Sequence, residues 1–224
     1  MKSHADLVKR LRRLDCCAVS DALDSCQLRG YVGGISQLST SRRIAGRVIT
    51  VELAHAYAVT FSAPGKKVQH LGTAAVELAG PDDVIVVKQA PQSQAGCWGG
   101  ILSLGASARG VAGVIADGLV RDIDEAREYS LPIFARGVTA LTARGRVQQL
   151  QTNAAIEIQG VVVAANDLVI ADGSGVAFID AEHAERVIST AERIAAKEAL
   201  MAKAVLAGQP ISDVMGVDYE HLLN

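Results

Sequence analysis

Between Gly96 and Asp122 the chain reads GCWGGILSLGASARGVAGVIADGLVRD, which puts a glycine-rich turn, a helical segment, an apolar strand and an Arg-Asp pair into one short unit. Ile101, Leu104, Gly105 and Ala108 recur at helical spacing just after Gly96, Gly99 and Gly100, so the unbonded N–H groups of a helix's first turn should point outward there. Such a place binds anions. Arg109-Gly110 supplies a cation and a left-handed cap at the far end. Val111 to Ala116 is too apolar to have a wet face and reads as a covered strand. Asp117-Gly118 and then Arg121-Asp122 follow it. Ligands of open α/β sheets collect at the carboxyl ends of strands, so a guanidinium and a carboxylate are delivered to one place. The first can grip a substrate carboxylate and the second can hold a metal. The structural alternative is a surface ion pair at a helix start, with glycines that only permit close packing. The spacing is neither a P-loop, because no G-K-[ST] follows, nor the G-x-G-x-x-G of a dinucleotide fold.

The flanking sequence supports such a unit on both sides. Asp6 to Leu23 has the apolar face of an amphipathic helix, Gly46 to Leu53 reads as a strand, and Pro64-Gly65 breaks the loop after it. Val68 to Ala79 returns to helical spacing, and Pro81-Asp82-Asp83 turns into the strand Val84 to Val87. Asp122 to Tyr129 is a short helix and Leu131 to Ala135 another strand, an alternation that requires a largely parallel sheet. From Ala155 onward short strands dominate: Ala155 to Ile158, Val161 to Val163, Leu168 to Ala171 and Val176 to Ile179. These are expected to pair as antiparallel hairpins. Ala181 to Ala207 forms one long helix whose apolar stripe is interrupted by Glu198. A carboxylate there belongs at a subunit contact or in a site, or else the stripe has a wet edge.

Composition narrows the function. Half of the 224 residues are apolar, enough for the core of a single domain over residues 1–224. With 22 basic and 24 acidic side chains the formal charge is −2, so no nucleic-acid partner held by bulk electrostatics is expected. Lys9, Arg10, Arg12 and Arg13 read as a solvated helix face. The four cysteines include no C-x-x-C pair, which predicts idle thiols in a reducing compartment and no zinc site. Neither a signal core nor a run of roughly 18 apolar residues is present, so a soluble, cytoplasmic protein without a membrane partner is expected.

The run WGGILSLGASARGVAGVIADGLVRD followed by LPIFARG closely resembles the family that includes 4-hydroxy-4-methyl-2-oxoglutarate aldolases and the regulator of ribonuclease activity A. Further matches are VSDAL at Val19 to Leu23, AGPDDVIVV at Ala79 to Val87 and DLVIADGSGV at Asp167 to Val176. The resemblance implies an α/β fold, a swivelling β/β/α sandwich of the phosphohistidine-domain type with a long C-terminal helix. It also implies assembly as a homotrimer or hexamer with sites between subunits. By the same resemblance Arg121 binds the pyruvyl carboxylate and Asp122 binds Mg²⁺ or Mn²⁺. Gly99, Gly100, Ile101 and Leu102 hold the keto acid through backbone N–H groups, and Glu198 of a neighbouring subunit helps to order metal-bound water.

The chain departs from the family pattern at several points. Gly100 stands where aldolase members carry an aspartate linked to acid or base work, and Gln69 where an asparagine is usual. The P-G-D turn is Ala165, Asn166 and Asp167, and the basic residue after the LPIFARG strand is either Arg144 or Arg146. The resulting expectation is a class II, metal-dependent lyase acting on a small 2-oxo acid through a pyruvate enolate, with Arg121, Asp122 and Glu198 as catalytic residues. The reaction would be retro-aldol cleavage of a 4-hydroxy-2-oxo acid or decarboxylation of oxaloacetate. The alternatives are a non-catalytic protein-binding regulator of the ribonuclease-inhibiting kind, and a biosynthetic enzyme using the same enolate chemistry on another substrate.

Overall fold

The computed structural model describes residues 4–57 and 70–216. Its strands are β1 (Tyr31–Val32), β2 (Ser36–Gln37), β3 (Ile44–His55), β4 (Asp83–Lys88), β5 (Gly113–Val120), β6 (Ile133–Val138), β7 (Val147–Thr152), β8 (Ile156–Ile158), β9 (Val161–Val163), β10 (Leu168–Asp172) and β11 (Gly175–Ile179). Its helices are α1 (His4–Leu11), α2 (Cys16–Ser25), α3 (Thr73–Leu78), α4 (Gly100–Ala108), α5 (Ile123–Glu128), α6 (Ala184–Leu206) and α7 (Ile211–Val214).

The sheet forms around β3, whose 12 residues pair with β10, β4 and β7 in turn. The strand order is β1-β11-β10-β3-β4-β5-β6-β2, with β7 added along the second half of β3. The β3–β4, β4–β5 and β5–β6 pairs are parallel, as the alternating middle of the sequence requires, and the later strands pair antiparallel. Alternation in β4 explains its unbroken apolar run. Val84 and Val86 face one layer while Ile85 and Val87 face the other, so both faces are covered. On the first face lies the β8–β9 hairpin, whose Ile156, Ile158, Val161 and Val163 pack with Val84, Val86, Ile115 and Phe134. The second face is covered by helices, with α1, α2 and α6 over β10 and β11 and with α3, α4 and α5 over the parallel strands. This is the β/β/α layering expected, with the long C-terminal helix.

Several elements differ from their sequence reading. Asp6 to Leu23 is two helices, because Asp15 takes an extended backbone and its side chain accepts the Ala18 N–H at 2.8 Å, starting a new helix. Leu14 and Val19 are buried on either side of that break, so the apolar spacing runs through it undisturbed. The basic patch is not simply a solvated face: Arg10 bonds Glu185, Ser189 and Glu192 of α6, and Arg12 pairs with Asp82 at 2.9 Å. β5 continues past Ala116 to Val120, with a register shift between Ala116 and Leu119 that absorbs Asp117-Gly118. Of the Val68 to Ala79 helix, residues 68 and 69 lie outside the described residues, as does Pro64-Gly65, and the described helix begins at Thr73. The long helix begins at Ala184 rather than Ala181. The short strands β1 and β2 and the polar strand β7, VQQLQT, carry too little alternation to be read from sequence. Among the described residues no helix is long and apolar enough to cross a membrane.

Candidate functional site

The site is built where β5 ends. Residues 96–98 run alongside that end and are tied to it: the Cys97 N–H donates to the Leu119 carbonyl at 2.8 Å and the Arg121 N–H to the Trp98 carbonyl at 3.0 Å. Gly96 bonds in turn to the Leu141 carbonyl at 2.9 Å, which draws in the 142–148 segment as a third wall. These segments and His70 surround a cavity of about 550 Å³. Trp98 is buried beside it, with its indole N–H held by Ser103 Oγ at 3.1 Å.

The glycines are there to admit Arg121. A Cβ at Gly96 would stand 2.9 Å from Arg121 Cγ, and one at Gly99 would stand 3.2 Å from the same atom and 3.0 Å from Asp122 Oδ2. The arginine stem therefore lies directly on the glycine turn, and its head is placed by that contact. Arg121 Nε donates to both Asp122 oxygens at 3.1 Å, while the two terminal nitrogens have no partner among the described residues. A planar fork is left available for a ligand carboxylate.

Asp122 occupies the left-handed region at φ 55°, an uncommon conformation for a residue with a side chain, and one that turns its carboxylate back over α4. Its Oδ2 accepts the Gly100 N–H at 3.0 Å. The Gly100 N–H of the expected cradle is thus bonded within the chain, while Gly100 itself lines the cavity. The N–H groups of Gly99, Ile101 and Leu102 have no partner among the described residues and line the same cavity. The Ser103 N–H closes the first helical bond to the Gly99 carbonyl at 3.0 Å.

No group of three or more His, Cys, Asp and Glu residues that could hold a metal occurs among the described residues. Asp122 is the one carboxylate among the described residues that line the cavity. Of the two candidate arginines, Arg144 lines the cavity and its guanidinium has no partner among the described residues. Arg146 instead donates to the carbonyls of Thr142 and Arg144. Gln69 lies outside the described residues. Asn166, at φ 75°, makes the corner between β9 and β10, where Asp167 accepts the N–H groups of Ala164 and Ala181. Burial raises the Asp167 carboxyl, and those two bonds act against the rise.

Glu198 is not in the Arg121 cavity of its own chain. It lines a separate hollow of about 470 Å³ with Asp15, Cys17, Arg43 and Asp172. Burial, and after it the charges of Asp15 and Asp21, raise its carboxyl above the ordinary glutamate value. The apolar stripe around it is fully buried only as far as Ile194, and Val205 and Leu206 at its far end are exposed. All four cysteines are free, and burial pushes the Cys16 and Cys97 thiols up to about 12.

Comparisons with known proteins show the family and the fold. A family model described as RraA-like, Aldolase/RraA, matches residues 16–178. The chain is 26% identical over 208 residues to protein DlpA of Legionella pneumophila, covering 92% of this chain but only 32% of that protein. It is 27% identical over 204 residues to a putative 4-hydroxy-4-methyl-2-oxoglutarate aldolase of Halalkalibacterium halodurans, covering 91% of this chain and 90% of the other. Among solved structures it is similar to Streptomyces coelicolor RraAS2, described as an unusual member of the RNase ES inhibitor RraA protein family. The TM-score there is 0.77 at 25% identity, over 89% of this chain and 97% of that one.

Proposed function

We infer, for a chain that belongs to the RraA-like family, a divalent-metal-dependent lyase acting on a small 2-oxo acid. The bond broken is the one beyond C3, by retro-aldol cleavage of a 4-hydroxy-2-oxo acid or by decarboxylation of oxaloacetate. The observation that carries this reading is the unpartnered Arg121 fork, set beside Asp122 and the open N–H groups of Ile101 and Leu102 on one cavity wall.

The fork fixes the substrate's carboxylate, and so the rotation of the carbonyl plane against which the breaking bond must be aligned. The N–H groups at the start of α4 lie where the keto oxygen gains charge as the enolate forms, and donors placed in advance stabilise that charge. Asp122 would hold the divalent ion, which supplies Lewis-acid polarisation of the keto group. Arg144 on the opposite wall suits the distal carboxylate of a dicarboxylic substrate. Glu198 would serve from a neighbouring subunit, because its own chain keeps it in another hollow and leaves Val205 and Leu206 at the end of the α6 stripe exposed.

One observation favours a second reading, a protein-binding regulator: Ile101 is 80% exposed and Leu104 44% exposed, an apolar rim beside the cavity. The deciding experiment is turnover of oxaloacetate and of a 4-hydroxy-2-oxo acid in chelator, then with Mg²⁺ or Mn²⁺ restored. Activity is expected to vanish and return while the circular dichroism spectrum stays constant. Undiminished turnover in chelator would rule out the metal-dependent lyase.

A further inference from the structure

We propose that His70 is the general base of this site: it takes the C4 hydroxyl proton of a bound 4-hydroxy-2-oxo acid and returns it to C3 of the departing pyruvate. The inference rests on the lyase reading above and names the proton carrier which that reading leaves open.

Retro-aldol cleavage needs a group in the cavity that both accepts and releases a proton. Few of the side chains around it can do so. The guanidinium groups of Arg121 and Arg144 keep their protons. Burial pushes the Cys97 thiol up to about 12, so it does not exchange its proton near neutral pH. Asp122 is engaged by Arg121 Nε and the Gly100 N–H and is the carboxylate left for the metal. His70 is the remaining titratable group on the lining, and imidazole is the side chain that takes up and gives back a proton near neutral pH. Its ring nitrogens have no partner among the described residues.

The chain just after His70 is tied down. The His70 carbonyl accepts the Thr73 N–H at 3.3 Å and the Thr73 hydroxyl at 2.9 Å. Two residues on, the Gly72 N–H donates to the buried Gln149 Oε1 at 2.7 Å. Gly72 takes φ 69° and lies against Trp98, where an added Cβ would stand 3.0 Å from the ring. Trp98 in turn gives its carbonyl to the Arg121 N–H, so imidazole and guanidinium are set by one packed frame. His70 is exposed and lines the cavity, which puts it at the mouth. A substrate held by its carboxylate at Arg121 and its keto oxygen at the start of α4 presents its C4 end away from that corner, toward His70. There the neutral ring nitrogen takes the hydroxyl proton, the oxygen's electron pair closes a carbonyl at C4, and the C3–C4 bond breaks with its electrons passing into the enolate. The imidazolium then protonates C3, pyruvate forms, and the ring is neutral again.

Decarboxylation supplies the control, because CO₂ leaves oxaloacetate with no hydroxyl proton to remove and the enolate can be protonated by water at the open mouth. With Mg²⁺ present, His70→Asn should lower kcat for cleavage of a 4-hydroxy-2-oxo acid by roughly 10²- to 10⁴-fold and leave CO₂ release from oxaloacetate within about threefold of the parent. Imidazole added to His70→Ala should restore part of the cleavage, with the melting temperature unchanged. A merely structural role would lower both reactions together. If His70→Asn lowers them alike, or lowers neither, another group moves the proton and the lyase reading stands. A parent that decarboxylates without cleaving likewise removes the base and keeps the lyase. A parent that does neither overturns both.

Discussion

Arg121 and Asp122 are adjacent in sequence, yet substitutions of them should fail differently. Arg121→Lys keeps the charge but loses the fork, so a substrate carboxylate is held by one point and turns freely. A higher KM and a kcat lower by about 10²- to 10³-fold are expected, the usual loss for one such electrostatic contact. Asp122→Asn is a clean partner experiment, because asparagine tolerates the left-handed backbone that most residues would strain to adopt. Its activity should recover in part at high Mn²⁺, and that of Arg121→Lys should not. Steady-state kinetics across a Mn²⁺ series separate the two. Glu198 offers a third test. Its carboxyl is raised, so the folded state holds that proton more tightly than the unfolded chain does. The stability this contributes is complete below the ordinary glutamate value and is lost as pH rises through the higher folded value. Glu198→Gln should therefore melt at or above the parent's temperature at pH 7, with the gap closing toward pH 4, while its turnover falls. A lower melting temperature at pH 7 would make the residue a structural one.

At the scale of elements, Arg10 adds a polar tie to the apolar packing of α1 on α6. Arg10 spans Glu185, Ser189 and Glu192, and its side chain is only 14% exposed. Arg10→Ala should cost on the order of 2 kcal/mol in a urea titration, since charge-assisted bonds are lost and two half-exposed carboxylates relax into water. No change in midpoint would show the network to be ornamental. The sequence conceals this contact because its partners are about 175 positions away, beyond any local pattern. Distance along the chain also explains the other differences. The glycine turn, the covered strands and the Arg-Asp pair are local and could be read. The break at Asp15, the pairing of β7 with β3 and the choice of Arg144 over Arg146 depend on what folds beside them. Gly100 shows the same limit, since the Glu125 carboxylate that stands against it comes from another helix.

For the whole molecule, the α6 stripe is the informative surface. Val205 is 38% and Leu206 89% exposed in a single chain, which leaves the C-terminal end of the stripe on a 23-residue helix open. A trimer that covers it is expected by light scattering or sedimentation at micromolar concentration. Val205→Asp, on the same face as Glu198, should shift the mass toward monomer and reduce turnover together with it, because Glu198 would no longer reach a neighbour's cavity. A monomeric parent with full activity would remove the shared site.

The three walls of the cavity differ in how freely they can change. The glycine turn and the Arg121-Asp122 corner are locked together, so that a single methyl at Gly96 or Gly99 would meet the arginine stem. The 142–148 wall is different: it leaves β6, turns through Gly145 at φ 71°, where an added Cβ would meet nothing, and reaches the others mainly through the Gly96–Leu141 bond. Mutations can accumulate there without disturbing the corner. Substrate preference can in this way be retuned without touching the chemistry, through the six residues of this segment that line the cavity.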